Sequence, residues 1–229
     1  MCGTCGCESG GGVVIDLEER LLSRNDHLAA HNREWLASVD VRAYNLMSSP
    51  GSGKTTLLER TVRELDVPCS VVEGDQETTF DADRIRAAGV PAVQVNTGAG
   101  CHLDAVMVRS ALAELDPPAG SLVFIENVGN LVCPALFDLG ETARVVIVSV
   151  TEGEDKPLKY PHLLRTGDVV LLNKVDLLPY VDFSVDRFLH CLRQINPHAP
   201  VLPVSARTGE GLPDFYAWLR TAGTPAGRR

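Results

Sequence analysis

The sequence predicts an α/β fold, a doubly wound and mostly parallel sheet with helices on both faces, and three observations carry that reading. Seven short apolar runs, at 43–47, 69–72, 92–95, 121–125, 144–150, 168–172 and 200–204, alternate with mostly helical stretches, the signature of βαβ units. Val, Leu, Ala and Ile dominate an apolar share of 45%, and aromatics reach only 5%, which suits strands buried on both faces better than an aromatic-rich sandwich. The first run enters a glycine-rich loop that a helical stretch follows, so strand, loop and helix succeed one another directly. At 229 residues the chain can build one such domain with a full core and some decoration, but not two equal domains.

Ahead of the first strand, residues 1–13 read as a flexible tail with Gly10, Gly11 and Gly12 as its hinge. Residues 16–38 read as an amphipathic helix on the outside of the domain, from the recurrence of Leu17, Leu21, Leu28 and Trp35 among many charges. The domain then runs through residue 221, and 222–229 read as a frayed, disordered end. Lys plus Arg number 21 against 30 Asp plus Glu, and the net charge of −9 argues against a nucleic-acid partner. No apolar run approaches the ~18 residues of a membrane span, and residues 1–12 lack the features of a secretory signal. A cytoplasmic location away from membranes is expected. There the seven cysteines stay reduced, and three of them within the first seven residues suggest metal or redox chemistry over disulfides.

The first strand leads into Ser48-Ser49-Pro50-Gly51-Ser52-Gly53-Lys54-Thr55-Thr56 and a helix, the context that a P-loop requires. Pro50, Gly51, Ser52, Gly53 and Thr56 shape a loop whose amides close on phosphates. Lys54 neutralises their charge, and the Thr55 hydroxyl binds Mg²⁺ at a helix N-terminus. Ser48 stands where the consensus has Gly. Two further segments fall at strand ends facing this loop: Glu73-Gly74-Asp75, and Glu126-Asn127-Val128-Gly129. A carboxylate there holds Mg²⁺ directly or through water, and the Gly129 amide can sense a γ-phosphate. Lys54, Asp75 and Glu126 are the catalytic candidates, with Asp75 placed to orient the attacking water. No arginine finger is evident, so slow turnover is expected. Asn173-Lys174-Val175-Asp176 names the base, because the Asp176 carboxylate can accept from both N1 and the 2-amino group of guanine, a pair that adenine lacks. Asn173 supports the loop, the Lys174 stem lies along the purine, and Ser205-Ala206 can supply an amide to guanine O6. GTP is therefore favoured over ATP.

Cys2, Cys5 and Cys7 are too tightly spaced for a zinc finger. Three thiolates suit Ni²⁺, with a backbone nitrogen or the terminal amine as fourth ligand, or Zn²⁺ completed by water or a partner. Cys101 and His102 are expected to begin a helix and Cys133 follows Gly129, so both loops should open on the γ-phosphate edge of the sheet. The three form a candidate internal metal site, which a symmetric dimer would supply with six donors. Cys69 and Cys191 read as structural thiols. His27 and His31 share a helix face without an accompanying carboxylate or thiol pattern, and with His162, His190 and His198 they read as structural or solvent-facing.

Taken together, Cys2-Gly-Thr-Cys5-Gly-Cys7, the P-loop, Glu73-Gly-Asp75-Gln-Glu-Thr, Gly100-Cys101-His102-Leu, Glu126-Asn-Val-Gly129-Asn-Leu-Val-Cys133-Pro, Glu152-Gly-Glu-Asp-Lys-Pro-Leu-Lys-Tyr-Pro161 and Asn173-Lys-Val-Asp176 resemble the HypB family of hydrogenase nickel-incorporation GTPases. The resemblance covers nearly the whole chain. It implies Mg²⁺-dependent GTP hydrolysis, a GTP-promoted homodimer, tight nickel binding by the tail, and a weaker nickel or zinc site at Cys101, His102 and Cys133. It also implies a nickel-transfer partner, HypA, and delivery to the large subunit of a [NiFe] hydrogenase. Some members carry a histidine-rich nickel store, and this sequence has none. The competing expectations are a related GTPase chaperone for urease nickel or cobalamin, and a metal buffer or sensor with incidental hydrolysis.

Overall fold

A computed structural model describes residues 10–75, 80–98 and 100–222 of the chain. Its centre is a sheet of seven strands, β1 (Arg42–Ser48), β2 (Cys69–Asp75), β3 (Ala92–Asn96), β4 (Leu122–Glu126), β5 (Ala143–Ser149), β6 (Val169–Asn173) and β7 (Val201–Pro203), in the order β3-β2-β4-β1-β5-β6-β7. Every neighbouring pair is parallel. The helices are α1 (Gly10–Ser38), α2 (Lys54–Glu64), α3 (Phe80–Ala87), α4 (Ala105–Leu115), α5 (Cys133–Leu136), α6 (Lys156–Lys159), α7 (Pro161–Thr166), α8 (Val185–Ile195) and α9 (Leu212–Thr221), with a 3₁₀ turn at Val175–Tyr180. Among the described residues no helix is long and apolar enough to cross a membrane.

Side chains of a strand alternate between the two faces of its sheet, and each face here has its own helical cover. Tyr44 and Leu46 of β1 pack in one core with Leu57 and Leu58 of α2 and Phe215 and Leu219 of α9. Met47 faces the other way, into a core with Leu163 of α7 and Phe188 and Leu192 of α8. On that same opposite face, Ala43 joins Leu36 of α1 and Val108 and Leu112 of α4. Strands buried on both sides explain the near-continuous apolar runs in the sequence.

The leading helix departs from expectation in two ways. It begins at Gly10 instead of residue 16, so the glycine run read as a hinge is helical. Glycine costs about 1 kcal/mol per helical position, which weakens a helix without forbidding it. The packing face is also different: Leu21 is exposed, and Asn25, Ala29, Asn32 and Leu36 are the buried stripe. Asn25 donates to the Asp138 carbonyl and accepts from the Ala105 amide at 2.8 and 2.9 Å, while Asn32 donates to the carbonyls of Ala105 and Leu139. Arg33 adds a bidentate pair with Asp138. Polar side chains that satisfy loop backbone thus fix α1, and a search for apolar periodicity passes over them.

β1 lies between β4 and β5, and the crevice at the carboxyl ends of these strands is the topological switch point where such folds bind ligands. Ser48, Asp75, Glu126 and Asn173 are each the last residue of a strand, so the sheet itself delivers them to that edge.

Candidate functional site

The loop between β1 and α2 is built for close approach by phosphate. Gly51 and Gly53 take positive φ values of 72° and 98°, and a Cβ on Gly53 would lie 2.7 Å from Asn173 Nδ2. Ser48, the departure from consensus, is fully buried; its hydroxyl receives Lys54 Nζ at 3.0 Å and Ser52 Oγ at 2.6 Å. The loop is braced from outside by Ser49 Oγ, which donates to Glu152 Oε1 at 2.6 Å, while Glu152 Oε2 pairs with Lys156 at 2.6 Å. Pro50, Gly51, Gly53, Lys54, Thr55 and Thr56 line a cleft of about 560 Å³ together with Asp75, Asp81, Arg84, Glu126, Gly129 and Lys174.

At the back of this cleft β2 and β4 run in a register that sets Glu73 beside Glu126. Both carboxyl groups are buried, at 3% and 2% exposure, and Thr55 Oγ1 donates to Glu126 Oε1 at 2.8 Å. Oxygens of Glu73, Asp81 and Glu126 all lie within 4.8 Å of one another. Glu73 Oε2 and Glu126 Oε2 have no hydrogen-bond partner among the described residues. Burial, and then the neighbouring Glu126 charge, push Glu73 well above the usual carboxylate range; burial likewise raises Glu126, against the opposing pull of Lys54. Oxygen-only donors with buried, unsatisfied atoms fit a hard divalent cation such as Mg²⁺. The sequence reading assigned this cation to Thr55 and Asp75, placed Glu73 and Glu126 in segments whose carboxylates could hold it, and passed over Asp81. Asp75 lines the same cleft, half-buried at the end of β2.

A raised folded-state carboxyl pKa stabilises the fold at low pH and loses that contribution as pH rises through the folded value. The chain without nucleotide or Mg²⁺ should therefore lose stability from about pH 5 upward. Glu73→Gln should flatten that slope and add ~1–3 kcal/mol near pH 8, because the buried carboxyl must take up a proton there that glutamine does not need. Thermal melts at several pH values provide the check; an unchanged slope in the variant would refute the assignment.

On the β6 side, Asn173 Nδ2 donates to the Ser52 carbonyl at 2.8 Å and Lys174 Nζ to the Gly51 carbonyl at 2.7 Å, tying the segment expected to read the base to the phosphate loop. Lys174 takes φ 64° to make that turn. Ser205 Oγ donates to Asp176 Oδ1 at 2.6 Å and orients the carboxylate. The amide expected to reach guanine O6 is otherwise engaged here: Ala206 N donates to Asn173 Oδ1 at 3.1 Å and Ser205 N to the Glu210 carbonyl at 2.9 Å. Ser205 and Ala206 thus brace Asp176 and Asn173 in this structure.

Cys101, His102 and Cys133 come together with their ligand atoms within 4.8 Å. Cys101 and His102 precede α4 instead of beginning it, because Asp104 is the N-cap and accepts from Met107 N at 2.8 Å. Cys133 opens α5. Cys101 Sγ stands 3.7 Å from His102 Nδ1, and the imidazole stacks on Phe137 with centroids 3.9 Å apart. The Cys133 side chain, followed by burial, raises the Cys101 thiol, while burial lowers His102. Two thiols and an imidazole fit Ni²⁺ or Zn²⁺. The link to the cleft is short: a Cβ on Gly129 would lie 3.1 Å from the Pro50 backbone, and Asn130 Nδ2 donates to the Cys101 carbonyl at 3.3 Å. Cys69 and Cys191 are buried thiols, and Cys2, Cys5 and Cys7 lie outside the described residues.

Sequence reasoning also missed Arg84, which lines the cleft and donates to Glu59 Oε2 at 2.8 Å and to Asp81 Oδ1 at 3.3 Å. Its position on α3, just after the β2 carboxylates, was the available signal. Asn130 and Glu152 lay inside recognised motifs without a role of their own.

Comparison with known proteins agrees with this geometry. Residues 42–203 match the model of the CobW/HypB/UreG nucleotide-binding domain. Hydrogenase maturation factor HypB of Azotobacter vinelandii is 56% identical over 214 residues, covering 92% of this chain and 71% of that protein. Among solved structures, HypB of Helicobacter pylori in complex with nickel superposes with a TM-score of 0.83 at 39% identity, over 86% of this chain and 94% of that one. HypB of Archaeoglobus fulgidus gives 0.81 at 40% identity, over 87% and 98%. With a P-loop at the switch point of the sheet and relatives matched over most of their own length, the chain belongs to the HypB family of hydrogenase maturation factors.

Proposed function

We propose that this protein is a cytoplasmic, GTP-hydrolysing nickel metallochaperone of [NiFe] hydrogenase maturation, in which nucleotide state governs the grip on Ni²⁺ at Cys101, His102 and Cys133. The observation that carries this is the short segment from Gly129 to Cys133: one end packs against Pro50 of the phosphate loop, its Asn130 holds Cys101, and its last residue is a thiol of the cluster. A change at the γ-phosphate reaches the metal ligands within one loop. The Helicobacter pylori relative, solved with nickel, supports the identity of the cargo.

Lys54 and the loop amides neutralise and position the phosphates, Asp176 selects guanine, and Asp75 at the cleft rim orients the attacking water. Thr55, with the carboxylates of Glu73, Asp81 and Glu126 close by, would hold Mg²⁺, whose charge would offset the negative charge that develops on the phosphates. Arg84 is engaged by Glu59 and Asp81, which leaves intrinsic turnover slow. Two copies meeting at the cluster would bring six donors, and Val132 and Leu136, 54% and 50% exposed beside Cys133, supply apolar surface for such a GTP-promoted homodimer. Residues 1–13 act as a separate high-affinity Ni²⁺ clamp through Cys2, Cys5 and Cys7, with HypA as transfer partner and the hydrogenase large subunit as recipient. Zn²⁺ competes at the internal site.

The test is Ni²⁺ affinity at the internal site of a full chain whose Cys2, Cys5 and Cys7 are replaced by Ser. It should differ by ~10-fold or more between a non-hydrolysable GTP analogue and GDP, a typical allosteric coupling. Equal affinities would leave a metal buffer.

A further inference from the structure

His27 and His31 stand one turn apart on α1, both exposed, with their Nε2 atoms facing each other at 3.2 Å. The rings meet edge-on, with centroids 4.6 Å apart and planes at 82°. Two imidazole nitrogens each ~2.0–2.1 Å from a shared ion stand ~2.9 Å apart at a right angle and ~3.3 Å apart at a tetrahedral one, so the observed spacing is a chelating bite. Without an ion, one ring can donate its Nε2 proton to the other, which uses a single lone pair; a cation takes both. Glu34 Oε2 lies 3.6 Å from His31 Nδ1. That separation is beyond hydrogen-bond distance, so the carboxylate adds a negative group beside the pair without fixing either ring.

The backbone beneath the pair is anchored: Asn25 and Asn32 bracket it and tie α1 to the Asp138–Leu139 loop and to Ala105. An ion then has only the two imidazole side chains to order.

We propose that His27 and His31 form a surface site for one borderline divalent transition cation of the Ni²⁺, Zn²⁺ and Cu²⁺ class. Water completes the coordination, and two protein ligands make this site weaker than either cysteine cluster. It lies on the helix that connects the cysteine-rich segment to the body, and gives the chain a position for a transition cation besides the two cysteine clusters and the carboxylate site, despite the absence of a histidine-rich store. The proposal is independent of the nucleotide cycle.

Equilibrium dialysis of the full chain against Ni²⁺ in the absence of nucleotide tests it, comparing the protein with His27→Gln and His31→Gln. Both side chains are exposed, so the variants should keep the fold. The expected result is one weak Ni²⁺ equivalent per chain whose affinity falls at least ~10-fold in either variant, because removing one of two ligands breaks the chelate, while the tighter equivalents are unchanged. An isotherm unaltered by both substitutions, or altered by only one, overturns the proposal.

Discussion

Lys54→Ala should lower GTP hydrolysis by ~10²–10³-fold or more, the scale of losing a preorganised charge at the reacting phosphates. The Lys54 side chain is buried at the first turn of α2 and its ammonium reaches Ser48 Oγ on the floor of the cleft. Among the described residues no other lysine lines that floor: Lys174, the other lysine of the cleft, is turned to the Gly51 carbonyl. The same ammonium is the charge that opposes the raised pKa of Glu126, so its removal also favours protonated carboxyls and weakens the cation site. Ni²⁺ binding by Cys2, Cys5 and Cys7 should survive unchanged. Single-turnover hydrolysis and Ni²⁺ stoichiometry, measured on the same preparation, provide the check. Parallel loss of both would show that the hydrolytic and tail metal sites are not separate.

Asp176→Ala should collapse the preference for GTP over ATP from ~10⁴-fold to within ~10-fold, because a site built to hydrogen-bond a particular group discriminates strongly against an analogue that lacks it. The carboxylate is held in place by Ser205 Oγ at 2.6 Å, and the turn that carries it is pinned through Asn173 to both Ser52 and Ala206. The substitution removes the base contact and leaves the phosphate loop intact. Competition binding with GTP and ATP reads the outcome; retained discrimination would mean that the base is recognised elsewhere.

Much of this was legible in the residues. The parallel sheet followed from apolar runs alternating with helices, and the P-loop from its place between a strand and a helix. Glu73 was harder to see, since what makes it significant is its register opposite Glu126, and one sequence does not disclose which strands are neighbours. Asp81 and Arg84 were hidden for the same reason: they belong to a helix that reaches the cleft only through folding. The face of α1 was misread because Asn25 and Asn32 bury polar groups by satisfying backbone, a signal that apolar periodicity does not carry. The partners of the Ser205 and Ala206 amides, the Glu210 carbonyl and Asn173 Oδ1, likewise depend on the fold. Cys101, His102 and Cys133 were grouped from motif order, and the structure adds the contacts through Gly129 and Asn130 that join them to the phosphate loop.

The most direct test of the proposed influence of nucleotide on these ligands is the Ni²⁺ titration of the chain lacking the tail thiols, run with a GTP analogue, with GDP and without nucleotide, and repeated with Cys101→Ala and Cys133→Ala. The account predicts an affinity that depends on nucleotide in the parent and a site lost in both variants. A parent affinity identical in all three nucleotide states would contradict it.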